Sequence, residues 1–156
     1  MASRQLVLGL GNDLLGDDGI GPWLVGALRE RPALAGFDFD TADGSGLGLL
    51  DLLDGYERAV IVDCMPDEDG EPGQVQRLSA EEFESRSFDL SSHYAGLPQV
   101  LALGHRLGLA MPNVDVLAVL VEDPYRIGTD FSPELEGRLP DIADEVERAL
   151  LEDARA

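Results

Sequence analysis

Two neighbouring acids, Asp17 and Asp18, lie in a glycine-rich loop; Asp63 ends one apolar run, Asp43 ends another, and His93 occupies a polar turn ahead of a helical pattern. Carboxylates brought together need a physical reason. Two unit charges about 4 Å apart repel by roughly 4 kcal/mol at an effective dielectric near 20. A proton shared between acids answers that repulsion, as in aspartic-protease chemistry. A divalent cation answers it too, and a nearby imidazole favours this second answer. Histidine with carboxylates is an ordinary ligand set for nickel, zinc or iron. Asp18, Asp63 and His93 together leave coordination positions open for a substrate or water. Spacing alone does not single them out, because Asp is scattered widely through so acidic a chain.

For these residues to meet, the fold must deliver them to one place. Gln5–Gly11 is continuously apolar, as a central parallel strand covered on both faces is. The loop 12–19 follows, then a helical pattern over Gly21–Arg31 with Trp23, Leu24 and Leu28 on one side. Phe37–Ala42 reads as a second strand, Leu47–Tyr56 as a helix, and Arg58–Met65 as a third, central strand. The turn-rich link 66–73 is too short for a parallel crossover, so Gln74–Ser79 is predicted as an antiparallel neighbour. Further on come an acidic, partly helical segment (81–89), a helix over Leu97–Leu109 and a last strand at Asn113–Val121. A final helical region has Ser132 as N-cap, Pro133 at its first position and a break at Pro140. This alternation predicts an α/β fold: one domain over 1–156, a three-layer sandwich with a mostly parallel, twisted five-stranded sheet, one antiparallel strand, and helices on both faces.

In such sheets ligands bind beyond the carboxyl ends of the strands, where strand order reverses. With the first strand between the second and third, that crevice is flanked by the Asp17–Asp18 loop and by Asp63. Asp43 lies on the same rim.

Composition narrows the partners. Against 31 Asp and Glu stand 11 basic residues, all Arg, for a formal charge of −20. Nucleic acid and acidic membrane faces are excluded as natural partners, since cations drive binding to them. Cations and basic protein segments fit. The absence of Lys removes the phosphate-gripping lysine of P-loop enzymes and any Schiff-base chemistry. No apolar run approaches the roughly 18 residues of a membrane helix, and no secretory signal pattern opens the chain, so the expected location is cytoplasmic.

Other chemistries fare worse. Gly9-Leu10-Gly11 begins like the dinucleotide fingerprint G-x-G-x-x-G, but Leu14 stands at the third glycine and two acids follow where pyrophosphate would lie. There is no Gly-x-Ser-x-Gly elbow and no His-Glu-x-x-His helix. Cys64, at the end of a buried run, reads as packing rather than as a nucleophile, and Ser92 beside His93 reads no better, since sequence neighbours on a turn generally point apart. His105 reads as a solvated or helix-capping residue, and Trp23 as packing for the first helix.

The run GLGNDLLGDDGIGP resembles the opening signature of the hydrogenase maturation endopeptidases, G-x-G-N followed by D-[DE]-G-x-G. TADGSGLGLL, VIVDC, SSHYAGL and VEDPYRIGTDFSPEL resemble further family motifs in the right order, and together they span nearly the whole chain. The resemblance implies a nickel-recognition triad of Asp18, Asp63 and His93. Asp43 matches an acid assigned to the cleavage step or to holding the substrate, although Asp43-Gly44-Ser45-Gly46 departs from the more usual D-G-G-[TS]. The implied activity is removal of a C-terminal extension from the nickel–iron hydrogenase large-subunit precursor after nickel insertion. Nickel in the substrate serves as the signal, the free protein is expected to be metal-empty, and an acid-activated water is the expected attacking group. Two rival expectations are a non-cleaving nickel-dependent assembly factor and a cofactor-binding α/β module.

Overall fold

The computed structural model of the chain describes residues 3–43, 46–66, 70–86, 96–124 and 126–154. Its five strands form one sheet in the order β2-β1-β3-β5-β4. They are β1 (Gln5–Leu10), β2 (Asp38–Ala42), β3 (Arg58–Pro66), β4 (Val75–Ser79) and β5 (Asn113–Val121). The first three and β5 run parallel, and β4 is antiparallel. The antiparallel direction agrees with the short link after β3. The partner of β4 is β5, however, which inserts between β3 and β4.

Alternating side chains of the central strands feed two cores, one on each face. On one side Val7, Val60, Val62, Leu117 and Val119 pack beneath α1 (Ile20–Leu28) and α6 (Leu139–Ala154). On the other, Leu6, Leu8, Ile61, Val116 and Ala118 pack beneath α2 (Gly48–Leu53), α3 (Ala80–Arg86) and α4 (Leu97–Arg106). Burial on both faces explains why these strands read as unbroken apolar runs rather than as alternations. Helices do cover both faces, as the element order predicts.

The last helical region divides into α5 (Pro133–Glu136) and α6, parted by Gly137 and Arg138. Pro140 stands in the first turn of α6, where a missing N–H costs nothing. Ser132 caps α5 by accepting from the Leu135 N–H. Arg31 joins the end of α1 to α6, its guanidinium 2.8 Å from both Asp144 and Glu147. Among the described residues no helix is long and apolar enough to cross a membrane.

Candidate active site

The order β2-β1-β3 places β1 centrally, so the crossovers after β1 and β2 leave in opposite directions and open a crevice at the carboxyl ends of β1 and β3. From β1 the chain turns at Gly11, whose φ of 148° is one that residues with a Cβ rarely adopt. It then passes through 12–15 into a 3-10 turn, Gly16–Gly19, which carries Asp17 and Asp18. The turn runs directly into α1, whose first residues press on the strands. A Cβ on Gly9 would lie 2.5 Å from the Gly21 carbonyl oxygen, and one on Gly11 would collide with the carbonyl oxygen of Asp18. The glycines of the opening signature are therefore there for close packing, and that packing holds the acidic loop over the crevice.

Asp18 is fixed at both oxygens. Its Oδ2 accepts from the Asn12 N–H at 2.8 Å, and its Oδ1 accepts from the Cys64 thiol at 3.1 Å. Each oxygen keeps a second lone pair for a further partner. Asp63 Oδ1 accepts from the Cys64 N–H at 2.8 Å. Ligand atoms of Asp18, Asp63 and Cys64 all lie within 4.8 Å of one another. Two of the three expected metal-facing residues are thus brought together by segments remote in sequence. His93 lies outside the described residues. Asp43 follows β2 on the same rim, where Gly11 N–H donates to Ala42 O at 3.1 Å, and its side chain is exposed.

The electrostatics bear on what this site can do. Burial holds the Asp63 carboxyl well above the usual range, the Asp18 charge adds to the effect, and the Cys64 N–H opposes it. A negative charge on Asp63 is therefore one that the protein compensates poorly and that a cation would compensate well. The donor set fits such an ion: two hard oxygens converge while keeping a partly open edge. Burial also pushes the Cys64 thiol well up, and Asp63 and Asp18 push it further. A thiol so held is a poor nucleophile at neutral pH. Cys64 packs in the core as expected, and in addition orients Asp18, which nothing in its local sequence signals.

Asp17, the other acid of the pair, turns inward. It is 3% exposed, and its Oδ1 accepts from the Ser132 N–H at 2.7 Å. Beside the acidic loop opens a groove of about 300 Å³ lined by residues that include Asp13, Trp23, Thr129 and Phe131. Trp23 meets Phe131 edge-on, with ring centroids 6.3 Å apart, so it does more than seat α1 on the sheet. His105 is exposed in the last turn of α4, far from this chemistry in the fold. Glu81 and Glu82 form a solvated helix face, and the acidic run 67–69 lies outside the described residues.

The model of the hydrogenase maturation protease family matches residues 40–149. The "Hydrogenase 2 maturation protease" of Escherichia coli (strain K12) is 30% identical over 154 residues, which is 96% of this chain and 92% of that protein. Among solved structures, an endopeptidase from Escherichia coli superposes with a TM-score of 0.76 at 27% identity, covering 96% of this chain and 93% of the other. The hydrogenase maturating endopeptidase HybD from E. coli gives 0.73 at 30% identity with the same coverage. The five-stranded sheet with its single antiparallel strand matches those of known maturation endopeptidases, and the chain belongs to the hydrogenase maturation protease family, whose members are peptide hydrolases.

Proposed function

We propose that this endopeptidase removes the C-terminal extension of a nickel–iron hydrogenase large-subunit precursor, in the cytoplasm, once nickel has been inserted. Nickel is here part of the substrate. One observation carries the reading: Asp18, from the turn after β1, and Asp63, from β3 just past its last pair with β1, place ligand oxygens within 4.8 Å of one another at the sheet's reversal point. With His93 as third donor, such a set senses a metal presented by a partner without enclosing it. The free protein is correspondingly metal-empty, and elemental analysis of gently purified protein checks this; a stoichiometric, chelator-resistant metal would contradict it.

Binding the precursor's nickel fixes the register of the peptide. A water deprotonated by Asp43, or by one of the metal-facing carboxylates, attacks the scissile carbonyl. The C–N bond then breaks and the proton passes to the departing amine. Incubation with purified precursor tests the proposal. The nickel-loaded form is expected to shorten and the nickel-free form to stay intact, while His93→Ala and Asp43→Asn each slow the cut by about 100-fold or more. Equal cutting of both forms overturns the role of nickel. Stable binding with no shortening points to an assembly factor instead.

The surface around the site supports a protein substrate. Leu14 is 61% exposed, Leu47 64% and Ile127 88%, and they stand on the loops after β1, β2 and β5 respectively, at the crevice end of the sheet. Leu107, also 61% exposed, ends α4 at the opposite edge. Ile127→Asp is expected to raise KM for the precursor about tenfold, the loss of one well-buried interface side chain. Leu107→Asp is expected to leave it unchanged. Steady-state kinetics on both variants, with melting curves alongside, read the difference.

A further inference from the structure

Asp17 is the one buried charged residue among those described at under a tenth exposure, and no step above uses it. A buried carboxylate is costly unless it is well hydrogen-bonded, so its single long-range partner is informative. That partner is the backbone N–H of Ser132, 115 residues away, at 2.7 Å. Ser132 is itself the N-cap of α5, and α5 is pinned to the core by fully buried Leu135. Two backbone hydrogen bonds join the same two segments. Gly16 N–H donates to Gly128 O at 2.7 Å, and Gly128 N–H donates to Leu14 O at 2.9 Å. Leu15 and Gly128 pair there as a short parallel bridge. The acidic loop is therefore stitched to the segment after β5 at three points, and Asp17 supplies the only charged stitch. Asp18, the next residue, meets Cys64 and Asn12 only if this loop stays down.

We infer that Asp17 is a positioning residue, whose carboxylate clasps the acidic loop to the start of α5 and thereby aims Asp18 at Asp63. A carboxylate suits the task because a charge-assisted bond to an N–H is roughly twice as strong as a neutral one. The clasp also builds the neighbouring groove, since Gly16 lies on one side of it and Thr129 and Phe131 on the other. The inference rests on the proposed proteolysis only for its activity arm.

Cys64 is the protein's single cysteine, 2% exposed and bonded to Asp18, so its alkylation by iodoacetamide reports whether the loop has lifted. Asp17→Ala is expected to label about tenfold faster than wild type, and faster than its global unfolding equilibrium in denaturant allows. Asp17→Asn keeps an acceptor oxygen for Ser132 and is expected to label within about threefold of wild type. In the precursor assay, kcat should fall about tenfold in Asp17→Ala and recover in Asp17→Asn. Wild-type labelling in Asp17→Ala overturns the clasp, as does Asp17→Asn labelling as fast as Asp17→Ala. If Asp17→Ala does not fold, Gly128→Ala strains the same bridge from the other segment, where φ is 143°, and faster labelling is again required. Labelling that responds in a protein which never cuts the precursor keeps the clasp and defeats the proposed function. The converse result does the opposite.

Discussion

Asp63→Asn is expected to yield a protein that is more stable at neutral pH and that no longer cuts its precursor. Burial and the neighbouring Asp18 charge raise the Asp63 carboxyl above its unfolded-state value. An acid shifted that way keeps its proton in the folded protein at pH values where the unfolded chain has released it. Its favourable contribution is complete below the unfolded-state value and is lost as pH rises through the folded-state value. At neutral pH the folded protein bears the cost either as repulsion between two acids within 4.8 Å of each other or as a proton retained that the unfolded chain has released. At an effective dielectric near 20 that separation corresponds to roughly 3 kcal/mol, and the open edge of the site screens part of it. Asparagine removes the charge and keeps an oxygen for the Cys64 N–H.

A stability gain of about 1–2 kcal/mol follows, or a Tm higher by roughly 2–8 °C in a domain of this size. The gain should shrink toward acid pH, where the wild-type acid is protonated as well. Melting curves of both proteins from acid to neutral pH check the sign. An Asn variant less stable than wild type at neutral pH, or a gain that grows on acidification, would overturn this account. In the precursor assay the same variant should lose about 100-fold or more of its rate. Such opposite effects at one residue mark a charge kept for function against stability.

The sheet was legible in the sequence because its strands are covered on both faces. Runs such as Ala59–Val62 and Val116–Val121 have no polar residue to interrupt them. The approach of Asp18 to Asp63 was legible for a topological reason: parallel strands point their carboxyl ends at one edge, so the acidic turn after β1 and Asp63, just past the last β1–β3 pair, had to be close once β1 lay beside β3. The order of β4 and β5 was not legible. A short link fixes the direction of β4 but not whether another strand slips in beside β3. Asp17 and Asp18 are indistinguishable as adjacent acids, and only contacts spanning 115 and 46 residues part them, one to the Ser132 N–H and the other to the Cys64 thiol. Cys64 likewise reads as core until the loop that its thiol meets is in place. The glycines were visible, and the failed dinucleotide pattern said what they are not for. Their actual use needed the backbone of α1 laid against two strands.

Gly21→Ala is expected to be severely damaging for a change of a single methyl group. Its Cβ would collide with the Leu10 carbonyl oxygen, and would sit 2.6 Å from Val62 O and 2.9 Å from Leu10 N. These are backbone atoms of β1 and β3, so no side chain can swing aside. α1 must lift away from the carboxyl ends of both strands, and the turn bearing Asp17 and Asp18, immediately before it, must lift with it. Overpacking against backbone should cost about 3 kcal/mol or more, a fall in Tm of roughly 6–12 °C, together with most of the cleavage rate even at temperatures where the variant is folded. Gly26 in the same helix gives the contrast, because its Cβ would meet nothing within 4 Å. Gly26→Ala should stabilise by about 0.4–1 kcal/mol, through restriction of the unfolded chain, and leave cleavage intact. Thermal melts and precursor kinetics on the two variants separate close approach from helix propensity as the reason for glycine. A Gly21→Ala protein as stable and active as wild type would mean that α1 does not rest on those strand ends. The acidic turn would then need another support to hold Asp18 opposite Asp63.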